Sequence, residues 1–138
     1  MPFFLAKSDP QVYSIDHLKA DRRTSWDGVR NPQAVQAIRA MQPNDWVLIY
    51  HSGGESALVG IARVVSAPRD DPRDPKSAVV DVEYYGRIDP PVTLREVKAS
   101  GLFADFALVR QSRLSAMPVP SSFIAWLRKQ RPKVLPEE

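Results

Sequence analysis

Seven consecutive residues, Trp26-Asp27-Gly28-Val29-Arg30-Asn31-Pro32, bring together side chains suited to holding a flat, polar ligand. The indole offers a stacking face, the guanidinium a bidentate donor, and the asparagine amide a donor and an acceptor in one group. Asn31 is also a preferred N-cap and Pro32 suits the first helical position, with Ala34, Val35, Ile38 and Met41 recurring at helical spacing behind them. A helix is therefore expected to start here, with its free N–H groups, which attract polar or anionic groups, beside Trp26. A nucleobase fits such a pocket.

Two further polar clusters follow apolar runs. Lys7-Ser8-Asp9-Pro10 comes after Phe3-Phe4-Leu5-Ala6, and His51-Ser52-Gly53-Gly54 after Trp46-Val47-Leu48-Ile49-Tyr50. Both runs read as strands that stop at these polar residues. Catalysis by His51 would need a positioned partner and a nucleophile, and His17 is the only other histidine. No P-loop, nucleophile elbow or HExxH helix is present, and without cysteine there are no thiolates, disulfides or cysteine metal sites. Binding rather than reaction is expected, with no cofactor and no metal.

The elements that must position these residues are short. With 138 residues, 43% of them apolar, one core is affordable, and a single domain over residues 1–131 with a fraying tail at 132–138 is expected. Ser14 caps a short helix through Ile15, His17, Leu18 and Ala20, the Pro32 helix runs to about Met41, and the Gly53-Gly54 pair turns a hairpin into Leu58-Val59-Gly60-Ile61-Ala62-Arg63-Val64-Val65. Gly60 marks a bulge or a close approach to the backbone. Residues 68–76 carry Pro68, Pro72 and Pro75 among balanced charges and read as an irregular surface loop. Val79-Val80-Asp81-Val82-Glu83 alternates as a strand, Thr93-Leu94-Arg95-Glu96 matches a capping box for a helix ending near Gly101, Phe106-Ala107-Leu108-Val109 reads as a strand, and Ser121 caps a last amphipathic helix. Trp46 and Trp126 are assigned to the core. Strands mixed with short helices, without βαβ repetition, predict an α+β domain on a small, curved, mainly antiparallel sheet, closed in part into a barrel with Gly53, Gly60 and Gly86 near its bends.

Nineteen Lys and Arg against sixteen Asp and Glu give a formal charge of +3, compatible with a polyanionic partner without requiring one. No signal peptide or long apolar run is present, which predicts a soluble, cytoplasmic protein (nuclear in a eukaryote) with no membrane partner.

The chain resembles the EVE domain family, within the PUA-like superfamily that also holds the YTH readers of methylated adenine in RNA. The resemblance runs from Phe3 to about Arg128 and rests on Lys7-Ser8-Asp9-Pro10, Tyr13-Ser14-Ile15, Trp26-Asp27-Gly28-Val29-Arg30-Asn31, Tyr50-His51-Ser52, Val59-Gly60-Ile61-Ala62, Asp74-Pro75-Lys76-Ser77, Val80-Asp81-Val82 and Arg113-Leu114-Ser115. It implies a PUA-like pseudo-barrel with short flanking helices and recognition of a modified base in nucleic acid, with cytosine derivatives in DNA as one class. It implies no reaction. Asp9 stands where the family usually has Glu, the loop at 68–77 is shorter than usual, and Ala116-Met117 replaces the usual Val and polar residue.

Capturing one base means extruding it, at a cost of a few kcal/mol, and recovering roughly 1–3 kcal/mol per aromatic stacking contact plus edge hydrogen bonds. Trp26 is the candidate plate, and its position resembles one wall of the YTH aromatic cage. Lys7, Ser8 and Asp9 would meet the base edge with Asn31, Tyr50 and Ser52 would close the far side, and Arg30 and Arg113, with Arg22, Arg23 and Lys7, would hold phosphates. Each residue also has a plainer role. Trp26 can pack a hinge, Asn31 can simply cap its helix, Ser8-Asp9-Pro10 can be a turn, and Arg30 or Arg113 can pair with Asp27, Asp45 or Asp81. For His51 the favoured reading is packing at a strand end with a hydrogen bond to a loop carbonyl. A free-nucleoside sensor using the same pocket, or a nucleotide-processing enzyme acting through His51, Tyr50 and Lys7, are the alternative functions.

Overall fold

The computed structural model describes residues 2–136; Glu137 and Glu138 of the expected tail lie outside the described residues. The chain opens with β1 (Phe3–Ser8), whose first four residues are buried, and turns into α1 (Ile15–Asp21). Ser14 caps α1 as expected: its Oγ accepts the His17 N–H at 3.2 Å, while His17 Nδ1 accepts the Ser14 N–H at 2.9 Å. Histidine thus fills the place that Glu or Gln takes in the usual capping box.

The segment leading to Trp26 is a strand, β2 (Arg23–Trp26). Its polar sequence carries no strand signal, and pairing with a longer strand supplies the hydrogen bonds. Gly28, at φ +75°, then makes the turn that a residue with a Cβ rarely adopts. α2 (Pro32–Ala40) follows, with Asn31 Oδ1 accepting from the N–H groups of Gln33 at 2.8 Å and Ala34 at 3.2 Å. Its buried face holds Ala34, Val35, Ala37 and Ile38, as the periodicity indicated.

β3 (Trp46–His51) and β4 (Ala57–Val64) form the expected hairpin across the glycine pair. The segment at 68–76 is more ordered than its composition suggests, because β5 (Arg69–Asp71) folds back on the start of the 20-residue β6 (Asp74–Thr93). Asp71 caps the turn between them, its Oδ1 accepting the Arg73 N–H at 2.9 Å. α3 (Leu94–Ala99) starts at Thr93, whose Oγ1 accepts the Glu96 N–H at 3.1 Å.

Residues 106–109, read as a strand, instead supply a short helix, α4 (Ala107–Arg110). A brief apolar run does not distinguish strand from helix, and here Phe106 and Leu108 pack inward, with the Phe106 ring 4.8 Å from that of Phe123. β7 (Ala116–Val119) contains Pro118, which an edge strand tolerates, and pairs antiparallel with β1. α5 (Ser121–Gln130) begins after Pro120 without a side-chain cap, so Ser121 is its first residue and not its cap. Beyond it Leu135 is 6% exposed and belongs to the core, which corrects the expectation of fraying for the described part of the tail.

The sheet order is β2-β6-β4-β3-β1-β7, with β5 beside β6; β1 and β3 run parallel and the other neighbours antiparallel. This is the expected α+β architecture. The path ends on β2 and β7, which do not pair, so the pseudo-barrel is an open one. Register shifts on either side of Gly60 and Ile61, opposite Arg87 and Gly86, bend the sheet where the glycines were expected to act. Gly60 serves the close approach as well: a Cβ there would lie 2.2 Å from Ile15 Cδ1, so α1 sits directly on the bend. Trp46 and Trp126 are partly buried against the core.

Candidate functional site

The parallel β1–β3 pair sets Lys7 beside Tyr50 and Ser8 beside His51, so the ends of two strands lie next to each other. At the far edge of the sheet, β2 places Trp26 opposite Val80 of β6. Between the end of β1 and β2 lies an open cleft of about 360 Å³. β1 contributes Lys7 and Ser8, the turn after it Val12 and Tyr13, β2 contributes Thr24, Ser25 and Trp26, and Asp27 closes the end. This volume is at the low end for ligand pockets and suits a single ring system.

Trp26 combines two of the roles open to it. It is 9% exposed, packed into the core, and it also forms part of the cleft wall. Tyr13 stands edge-on to it, ring centroids 6.3 Å apart at 84°, so the cleft has two aromatic members. Tyr13 is itself fixed, its hydroxyl donating to Asp21 Oδ2 at 2.8 Å and its ring stacked on His17 at 5.6 Å. Burial, with Asp21 alongside, pushes its phenol pKa upward.

Lys7 is half-buried. Its Nζ donates to the Ser112 carbonyl at 2.9 Å and lies 5.4 Å from the centroid of the Tyr50 ring, within cation–π range. Burial lowers the Lys7 pKa below the ordinary lysine value. Ser8 Oγ donates to the Tyr13 carbonyl at 2.5 Å, and its own carbonyl accepts the Ser52 N–H at 2.9 Å. The cleft floor is thereby tied to both neighbouring loops.

The remaining residues singled out in the sequence stand around this cleft without lining it. Tyr50 lies under Lys7 and is 3% exposed; burial raises its pKa. His51 accepts: its Nε2 takes the Ile15 N–H at 3.0 Å, where a bond to a loop carbonyl was expected. A half-buried neutral imidazole fits that role, and burial lowers the His51 pKa. Ser52 meets Ser8 through the backbone alone. Asn31 Oδ1 is used as the α2 cap. Asp9 shapes the turn, its Oδ1 accepting the Gln11 N–H at 2.9 Å.

Arg30 lines a second, adjoining cleft of about 450 Å³, which shares Asp27 with the first. The carboxylates considered as partners for Arg30 and Arg113 are engaged elsewhere: Asp27 with Arg73 at 2.6 Å, Asp81 with Arg69 at 3.0 Å, and Asp45 with the Gln42 N–H at 2.9 Å. Among the described residues neither Arg30 nor Arg113 forms an ion pair, and both are exposed. Hydrogen bonding from Arg69 and Ser25 lowers the Asp81 pKa, and this trio locks β2 to β6 behind the cleft. Val12, Tyr13, Thr24 and Ser25 are the cleft residues that sequence reasoning did not single out. Tyr13 was visible as an aromatic beside a helix cap; Thr24 and Ser25 become visible only through the pairing of β2.

The sequence matches the EVE domain over residues 2–130. The chain belongs to the EVE domain family. As an EVE domain it is 30% identical, over 94% of its length and 75% of the relative's, to thymocyte nuclear protein 1 of Mus musculus. It superposes with a TM-score of 0.87 on the human THYN1 protein in complex with DNA containing 5-methylcytosine, at 25% identity and covering 96% of this chain and 99% of that one. The YTH domain of the Zygosaccharomyces rouxii MRB1 protein, in complex with N6-methyladenosine RNA, shares the fold at a TM-score of 0.58, with 16% identity over 94% of this chain and 85% of that one. No helix among the described residues is long and apolar enough to cross a membrane.

Proposed function

We propose that this EVE domain captures a single modified base of a nucleic acid, a cytosine derivative in DNA, in the cleft walled by Trp26 and Tyr13. The observation that carries the reading is the cleft itself, ring-sized and open beside a buried indole. The human THYN1 protein, similar in fold over nearly its whole length, was solved with DNA containing 5-methylcytosine, which supports the choice of ligand.

The chemistry follows from the residues. The base stacks against the aromatic wall, where each contact is worth about 1–3 kcal/mol. The Thr24 hydroxyl and the Lys7 ammonium stand around the cleft to meet polar atoms on the base edge. Arg30 and Arg113, free of ion pairs within the described residues, are cations available for backbone phosphates. A buried methyl group adds roughly 1 kcal/mol, so discrimination against the unmodified base is modest, on the order of tenfold or less. The activity is binding; the site needs no bond to be made or broken.

The test is a binding panel of single- and double-stranded oligonucleotides, with cytosine or 5-methylcytosine at one position, at two salt concentrations, alongside the free nucleosides. Preference for the modified oligonucleotide, with affinity falling steeply with salt, is the expected result. Equal and salt-independent binding of modified and unmodified strands overturns it, and equal affinity for the free nucleoside and the oligonucleotide assigns the cleft to a nucleoside sensor.

A further inference from the structure

We infer that Val12 is a wedge that fills the gap left in a DNA duplex when the neighbouring base is drawn into the Trp26 cleft. The inference rests on the base-capture reading and adds the element that opens the duplex. Val12 is 77% exposed, more than Leu102 at 67% or Tyr85 at 50%, and it alone of these lines the Trp26 cleft. A lone exposed aliphatic residue is ordinary on a protein surface. What sets Val12 apart is its place on the cleft rim and the stiffness of its support.

That support is a turn closed on itself. The Asp9 carbonyl accepts the N–H groups of Val12 and Tyr13, each at 2.9 Å, and Asp9 Oδ1 accepts that of Gln11 at 2.9 Å. Ser8 Oγ holds the Tyr13 carbonyl at 2.5 Å, so the backbone on both sides of Val12 is pinned. Val12 is the one branched aliphatic side chain between Ala6 and Ile15, and its β-branched χ1 is stiff. The next residue, Tyr13, is already cleft wall, so a base entering the cleft leaves its vacancy in the stack beside Val12.

The physical gain is specific to a duplex. Extruding a base exposes the faces of the flanking pairs to water, and proteins that distort DNA recover part of that cost by inserting an apolar side chain between base steps. A single strand has no paired stack to hold open and a free nucleoside has none at all. Val12 therefore contributes to duplex binding and little to either of the others.

The experiment compares the wild type, Val12→Ser and Val12→Leu on a duplex with one 5-methylcytosine and on the same strand alone, with 2-aminopurine beside the modified base as a reporter of unstacking. Losing the apolar contact is expected to weaken duplex binding roughly three- to tenfold while leaving the single strand within about twofold, and Val12→Leu is expected to retain duplex affinity. The 2-aminopurine emission on duplex binding is expected to rise less for Val12→Ser than for the wild type. Equal effects of Val12→Ser on both substrates, or none on either, overturn the wedge and leave base capture standing. A wild type that does not prefer the modified strand overturns base capture, and the wedge with it. Circular dichroism of Val12→Ser confirms that the exposed substitution leaves the fold intact.

Discussion

His51 Nε2, at the end of β3, accepts the backbone N–H of Ile15 at 3.0 Å, in the first turn of α1. One side chain thus joins the sheet to the helix that follows the cleft-rim turn, and it does so only while neutral. Burial lowers the His51 pKa from 6.5. In the unfolded chain the imidazole protonates near its ordinary value, whereas in the fold it resists protonation. The stability it contributes is complete above about pH 6.5 and is lost as pH falls from there through the lower folded value. Urea unfolding at pH 7.5 and pH 5 is expected to show a larger loss for the wild type than for His51→Gln; equal losses contradict the assignment.

Gly60 and Ile15 form the second contact that seats α1. A Cβ on Gly60 would meet Ile15 Cδ1 at 2.2 Å, Ile15 Cγ1 at 2.8 Å and the Gly86 carbonyl at 3.0 Å. Ile15 is 3% exposed and has no room to retreat, so Gly60→Ala is expected to cost about 1–3 kcal/mol as overpacking. Combined with Ile15→Ala, the total is expected to fall short of the sum of the two single losses, because the added methyl enters the space that the larger side chain leaves. Chemical denaturation of the four proteins measures this.

Trp26 needs a gentler substitution than its role in binding alone would suggest. At 9% exposure, replacement with alanine would remove about 3–5 kcal/mol of stability and confuse the readout. Trp26→Phe keeps an aromatic ring with a smaller face, and binding to a 5-methylcytosine oligonucleotide is expected to drop by about tenfold with the fold retained. Fluorescence anisotropy with a labelled strand, paired with a thermal melt, separates the two effects.

Arg30 and Arg113 are free of ion pairs among the described residues, so replacing either with glutamine should leave stability unchanged. If each holds a phosphate, each substitution lowers the slope of log affinity against log salt by about one. An unchanged slope removes that arginine from the backbone path.

The sequence made α1, α2 and α3 and their caps legible, because Ser14, Asn31 and Thr93 accept local N–H groups that the adjacent residues must supply. Gly60 was equally readable, since glycine in a β-prone run leaves few explanations. β2 and β7 were not, because one is polar and the other proline-bearing, and both owe their existence to a partner strand. The same limit applied to the cleft. Lys7, Ser8 and Trp26 are placed together on it, but His51 and Asn31 give their acceptors to structural bonds and Tyr50 and Ser52 stand outside its lining, which only the pairing of β1 with β3 and the seating of α1 make visible.

The most direct test is to titrate the protein, with nitrogen-15 in its indoles, with an oligonucleotide carrying one 5-methylcytosine and to follow the side-chain N–H signals of Trp26, Trp46 and Trp126. A base stacked in the cleft moves the Trp26 signal and leaves Trp46 and Trp126 in place, and the unmodified strand produces a smaller change at equal concentration. Saturating binding with the Trp26 signal unmoved would contradict the account.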